Sequence, residues 1–151
     1  MLYNIDTRAN AELVYALALM GHGDCIAVVD RNFPAHSTAA GTLYQGLLRL
    51  DLASTADAVD LVAGLIPIEE GPSAKGLVHM LVDGKPDAVP PVVNEAVSAL
   101  RRRQPNSARY EGLSRQDFYA LARRCFAVLL TKEQRFYGSV ILRKGVFVPE
   151  H

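Results

Sequence analysis

The first readable period falls between Ala11 and Met20 (AELVYALALM). There Leu13, Ala16, Leu17 and Met20 recur at helical spacing among good helix formers. Gly21 stands where such a helix would stop. The period then changes. Cys25 to Asp30 (CIAVVD) is short, apolar and rich in branched side chains, which predicts a buried strand, and Asn32 and Pro34 mark a turn over Arg31–Pro34. Thr55 to Leu65 (TADAVDLVAGL) reads as a helix capped by Thr55, with Pro67 beyond its end. Gly76 to Val82 (GLVHMLV) reads as a strand, and Val92 to Arg103 as a helix preceded by Pro90-Pro91. A polar loop is expected over Gln104–Gly112. A helix follows from Ser114 to about Arg124, with Gln116 and Asp117 in its first turn. Strands are expected over Phe126–Thr131 and, after a Tyr137-Gly138 turn, over Ser139–Leu142.

Short apolar strands alternating with helices predict an α/β fold: one compact domain over residues 1–151, with a mostly covered sheet and flanking helices. The length of 151 residues fits one domain of roughly 100–200. No repeat, low-complexity stretch or boundary interrupts it. Hydrophobic residues make up 50% and charged ones 21%, which excludes a disordered chain. Sixteen basic and sixteen acidic residues cancel, which argues against nucleic-acid binding and leaves little electrostatic resistance to self-association. No apolar run reaches the roughly 18 residues of a membrane span, and MLYNIDTRANAE lacks a signal-peptide pattern. Cys25 and Cys125 sit in apolar stretches and read as buried thiols in a reducing cytoplasm, although the sequence leaves a disulfide open.

Few residues offer chemistry. Of the four histidines, His79 lies in a strand-like run and suits a structural role, and His151 at the last position is expected to be disordered. His22 differs, because Met20-Gly21-His22-Gly23-Asp24 places it between two glycines and between a helix and a strand. Glycines leave room for a ligand beside the ring; the plainer alternative is a helix C-cap with a solvated imidazole. Asp30 closes the first strand, where α/β sheets often bind ligands, yet an aspartate there also commonly caps a turn. Tyr137-Gly138-Ser139 combines a ring, exposed backbone and a hydroxyl, a set that suits a sugar but equally makes an ordinary turn. Arg115 and Tyr119 share a helix face, and an arginine in a helix's first turn opposes the dipole, so it either meets a ligand or is simply a solvated charge. Gly21-x-Gly23 lacks the third glycine of a dinucleotide fingerprint, and Gly71–Gly76 (GPSAKG) lacks the Gly-Lys-Ser/Thr ending of a phosphate loop. His22, Asp24, Asp30 and His36 match no standard metal spacing, and no serine or cysteine sits in a recognisable nucleophile setting.

Taken together, Met20-Gly21-His22-Gly23-Asp24, Val29-Asp30-Arg31-Asn32-Phe33-Pro34-Ala35-His36-Ser37 and Tyr137-Gly138-Ser139 with Arg143-Lys144-Gly145 resemble the RbsD/FucU family of sugar mutarotases. The resemblance covers nearly the whole chain. It implies an RbsD-like layered fold, interconversion of sugar anomers without metal or cofactor, and ring-shaped homo-oligomers, often decamers. By it, His22 is the proton donor, and Asp30, Tyr137, Gly138 and Ser139 bind the sugar. Ser139 replaces the family's asparagine, keeping donor and acceptor but losing the amide. Arg115-Gln116-Asp117-Phe118-Tyr119, with Thr131 and Glu133 further on, resembles the fucose branch, which implies L-fucose as substrate and Arg115 as a sugar ligand.

A histidine suits anomer exchange because its ordinary pKa near 6.5 lets it give and take a proton at neutral pH. His22 is therefore expected to protonate the ring oxygen, with Asp30 orienting the sugar or the imidazole. The alternatives are a D-ribose pyranase or other sugar mutarotase, a non-catalytic sugar-binding accessory protein, and a structural oligomer.

Overall fold

Strands β1 (Cys25–Val29) and β5 (Ala127–Thr131) are buried at every position because both of their faces are covered. In β1 the side chains alternate: Ile26 and Val28 enter one core, and Cys25, Ala27 and Val29 enter a second on the opposite face. The computed structural model describes residues 1–73, 75–107 and 109–149, and the expectation for His151 falls outside them. Four more strands complete one sheet: β2 (Leu47–Leu50), β3 (Leu77–Met80), β4 (Tyr110–Leu113) and β6 (Val140–Arg143), in the order β2-β5-β1-β6-β3-β4. β6 runs antiparallel to both of its neighbours, β1 and β3; the other pairs are parallel.

Helices cover both faces, as the apolar strands require. α1 (Ala11–Leu19), α3 (Thr55–Ala63) and α4 (Pro91–Arg103) bury Leu13, Leu17, Val59, Val62, Val93 and Leu100 in the first core. α2 (Ala35–Ala40) and α5 (Arg115–Arg123) bury Ala35, Ala39, Phe118 and Ala122 in the second. Arg103 and Arg8 converge on Asp60 at 2.9 and 2.7 Å, joining α4 and the N-terminal segment to α3, and hold its carboxyl well below the usual carboxylate range.

The apolar pattern locates the central strands and misses the edges. β2 and β4 are edge strands with exposed positions, and β4 carries Gly112, so neither shows a continuous apolar run. The expected loop over Gln104–Gly112 instead holds a 3-10 turn at Pro105–Ser107 and the start of β4, whose pairing with β3 supplies the order that propensity does not. α2, six residues over Ala35–Ala40, is too short for a periodic signal. The last strand begins at Val140 and leaves Ser139 in the preceding turn. The cap of α3 is Ser54: its hydroxyl accepts from the Asp57 amide while Asp57 accepts from the Ser54 amide. Thr55 is thereby the first helical residue, fully buried, its hydroxyl free to reach across the fold. Cys25 and Cys125 are both buried and free.

Phe118 is fully buried and meets the Phe33 ring edge-on at 6.0 Å. Phe118→Ala is expected to cost about 3–5 kcal/mol. Urea unfolding would read this as a lower midpoint; an unchanged midpoint would place the ring outside the packed core.

Candidate functional site

β1 and β5 end side by side, and β6 begins between β1 and β3, so three chain segments meet at one end of the sheet. Asp30 leaves β1 there and is almost completely buried (5% exposed). One carboxylate oxygen accepts from the backbone amides of Asn32 (2.9 Å) and Phe33 (3.1 Å). The other accepts from the Ser139 hydroxyl at 2.8 Å, and that hydroxyl oxygen itself accepts from the Asp30 amide at 3.0 Å. Asp30 thus caps its own turn and also lines a cavity. A carboxylate has about four acceptor positions. Three are occupied, so one remains for a ligand.

The cavity holds about 370 Å³ and is lined by Asp30, Asn32, Phe33, Met80, Arg115, Tyr119, Phe136 and Tyr137. That volume lies at the small end of the range for ligand sites, about 300–1,000 Å³. Phe33 and Tyr119 stand edge to face at 5.2 Å and, with Met80, form an apolar wall beside the carboxylate. Arg115, in the first turn of α5, reaches the rim and pairs with Asp83 at 3.2 Å. Both side chains are exposed, so the pair adds little stability and leaves the guanidinium available. Tyr119, one turn on, shares that helix face, as its spacing predicts.

Tyr137 has a positive φ of 55°, a conformation unusual for a side chain of its size. Its ring borders the cavity, and its hydroxyl accepts from the Asp83 amide at 3.2 Å. Gly138 is buried behind it. A Cβ there would meet Glu133 Cγ at 2.8 Å and the Arg135 carbonyl at 2.9 Å, so only glycine fits. Its carbonyl accepts from the buried Thr55 hydroxyl. Ser139 is fully buried and reaches the cavity only through the Asp30 carboxylate.

Glu133 braces this turn. Its side chain accepts from Arg135 at 3.0 and 3.1 Å and from the Thr55 amide at 3.4 Å, and Arg135 also bonds Glu95 at 2.7 and 3.0 Å. Burial pushes the Glu133 carboxyl up, but Arg135 and the surrounding amides outweigh it and leave the group below its ordinary value.

His22 is not at this cavity. It precedes β1 and Asp30 follows it, so the length of the strand separates them, roughly 16 Å for five residues. Its ring is exposed (58%) and its Nε2 lies 2.7 Å from Glu69 Oε2. His36 is exposed on α2 and lines no part of the cavity. His79 is buried in β3 with Nδ1 3.3 Å from the Met80 carbonyl, and burial pushes its pKa down, which fits a structural role. Among the described residues, no group of three or more His, Cys, Asp or Glu side chains is arranged to hold a metal ion, and no helix is long and apolar enough to cross a membrane.

Glu69 and Asp83 have no signal in the sequence. Each meets its partner across a long stretch of chain; Glu69 is 47 residues from His22, and the Asp83 amide 54 from the Tyr137 hydroxyl. Phe33 lies inside a motif already singled out and could have been named from it.

Residues 4–147 match the sequence profile described as the RbsD / FucU transport protein family. A relative from Bos taurus, named fucose mutarotase, is 35% identical, the alignment covering 99% of this chain and 97% of the relative. The crystal structure of FucU from Bifidobacterium longum superposes with a TM-score of 0.84 at 25% identity, covering 95% of this chain and 100% of that one. The fucose mutarotase of Streptococcus pneumoniae in complex with L-fucose gives 0.80 at 26% identity, covering 97% and 100%.

Because Glu133 titrates below its ordinary value when folded, its contribution to stability is complete above about pH 4.3 and is lost as pH falls through the folded pKa. Glu133→Gln is expected to cost about 1.5–3 kcal/mol at pH 7 and to flatten the acid side of the stability profile. Denaturant unfolding between pH 3 and 7, on about that scale, tests this; a variant curve parallel to wild type would show that Glu133 does not brace the turn as a carboxylate.

Proposed function

The chain belongs to the RbsD / FucU transport protein family, and from that premise we propose that it is a mutarotase interconverting the α and β anomers of L-fucose. One observation carries the reading: a monosaccharide-sized cavity sets a desolvated carboxylate, an available guanidinium and an aromatic wall at the end of the central strand, in a chain whose near-full-length relatives are named fucose mutarotases. The carboxylate of Asp30 accepts from a sugar hydroxyl through its remaining acceptor position, Arg115 donates to another, and the Tyr137 ring packs on the sugar's C–H face. Gly138 and Ser139 bind the sugar indirectly, Gly138 by letting Tyr137 take its left-handed conformation against Glu133, and Ser139 by fixing Asp30.

Anomer exchange needs a proton on the ring oxygen as the C1–O bond breaks and removal of the anomeric hydroxyl proton, giving the open aldehyde. Rotation about C1–C2 and reclosure reverse both transfers, so no proton is gained or lost overall. His22 is the proton donor. In this reading it serves the cavity of a second copy within a homo-oligomer, which its separation from the cavity of its own chain by the length of β1 supports. Exposed apolar side chains support association: Phe136 is 79% exposed at the cavity rim, and Leu43, Leu52 and Phe147 are exposed elsewhere. The buried free thiols fit a reducing cytoplasm.

Magnetisation-transfer NMR on L-fucose, with D-ribose alongside, tests the activity. Faster exchange for L-fucose is expected. Acceleration of D-ribose alone would move the protein to the ribose branch, and binding without acceleration would make it a sugar-binding module. His22→Ala is expected to slow exchange by about 100- to 10,000-fold, the usual worth of a positioned proton donor, while sugar binding persists; wild-type exchange would remove His22 from the reaction. Mixing His22→Ala with Arg115→Ala subunits after both have been dissociated is expected to restore part of the lost exchange. No recovery in a verified mixed assembly would confine each site to one chain.

A further inference from the structure

The His22 loop is built as a fixed unit. Its chain leaves α1, and the Asp24 carboxylate accepts from the Gly21 amide at 2.8 Å, closing a turn around the histidine. Gly23 has φ +88°, a conformation glycine takes without strain. Its amide donates to the Lys144 carbonyl at 2.9 Å, and its carbonyl accepts from Arg143 at 3.1 Å. The loop is thus tied to the far end of β6.

Glu69 is fixed from the same side. Its amide donates to the Arg143 carbonyl at 2.9 Å, and Ile68 bridges Lys144. Gly145 permits this approach: a Cβ there would stand 2.9 Å from the Ile68 carbonyl carbon. One Glu69 carboxylate oxygen, Oε1, accepts from the amides of Glu70 (3.1 Å) and Gly71 (3.0 Å). The other, Oε2, faces His22 Nε2 at 2.7 Å. That contact holds the Glu69 carboxyl below its ordinary value, so at neutral pH it is an ionised acceptor with no proton to donate. With the imidazole exposed the contact adds little stability, yet the carboxylate is anchored by two backbone amides before it meets the ring.

We propose that Glu69 is a positioning residue for His22: by accepting from Nε2–H it fixes the ring and leaves Nδ1 as the atom that exchanges the proton with the sugar. This rests on the mutarotase reading for its consequence in catalysis, though not for the tautomer. In the acid form Nδ1–H protonates the ring oxygen as the C1–O bond breaks, water takes the anomeric hydroxyl proton, the imidazole keeps its Nε2 proton on Glu69, and reclosure reverses both transfers, returning the proton to Nδ1. Nothing is consumed. Glu69 touches no reacting atom.

The test reads the ring and the rate separately. Nitrogen-15 NMR of the histidine rings, with His22 assigned by its loss in His22→Ala, is expected to show neutral His22 with its proton on Nε2. A neutral ring protonated on Nδ1 would overturn the proposal whether or not the protein turns over sugar. In magnetisation-transfer NMR, Glu69→Ala is expected to lower the exchange turnover about 10-fold or more, a share of what positioned proton transfer supplies, with L-fucose affinity unchanged. Glu69→Gln, nearly the same shape and still an acceptor through its amide oxygen, is expected to recover part of the loss, and guards against Glu69→Ala failing to fold. Wild-type turnover in both variants would overturn the proposal. If wild-type protein does not accelerate L-fucose exchange at all, the mutarotase reading falls, and the ring measurement still decides what Glu69 does to His22.

Discussion

A carboxylate taken out of water at the end of β1 organises this molecule. Burying Asp30 is costly unless its oxygens are bonded, and each partner that meets the cost is a structural commitment. The Asn32 and Phe33 amides set the turn that leads into α2. Ser139 sets where β6 begins relative to β1. Phe33, positioned by that turn, then stacks against Phe118 and Tyr119 of α5 and so fixes the helix that carries Arg115. The cavity's polar floor, its apolar wall and its cationic rim are consequences of how one buried charge is held.

The second brace acts from behind. Tyr137 holds a left-handed conformation that nothing in its own chemistry favours. Gly138 allows it, Thr55 at the start of α3 bonds the Gly138 carbonyl, and Glu133 fills the space a larger residue would need. Through Arg135 this brace extends to Glu95 on α4. A helix pair on one face of the sheet thus fixes a turn that borders the cavity on the other.

Much of the fold was legible because its central strands must be apolar on both faces. CIAVV and AVLLT cannot be exposed anywhere, and their runs stand out for that reason. LLRL and YEGL lie at the two edges, where partner strands rather than composition decide the structure. The cavity lining was legible where its residues fall inside local motifs, as Asp30, Arg115 and Tyr137 do. The Tyr137-Gly138-Ser139 segment was legible as a turn, but the burial of Ser139 and its bond to Asp30 depend on a partner 109 residues away. Glu69 could not be found at all, since Ile-Glu-Glu resembles any solvated stretch until folding brings it against the His22 loop.

β6 is four residues long and both of its ends are occupied, Ser139 by Asp30 before it and Arg143 and Lys144 by the His22 loop after it. It behaves as a ruler. One residue more would turn Ile141 out of its core and into the other, and would also push one of its two attachments out of reach. The spacing between Tyr137-Gly138-Ser139 and Arg143-Lys144 therefore leaves no room for insertion or deletion.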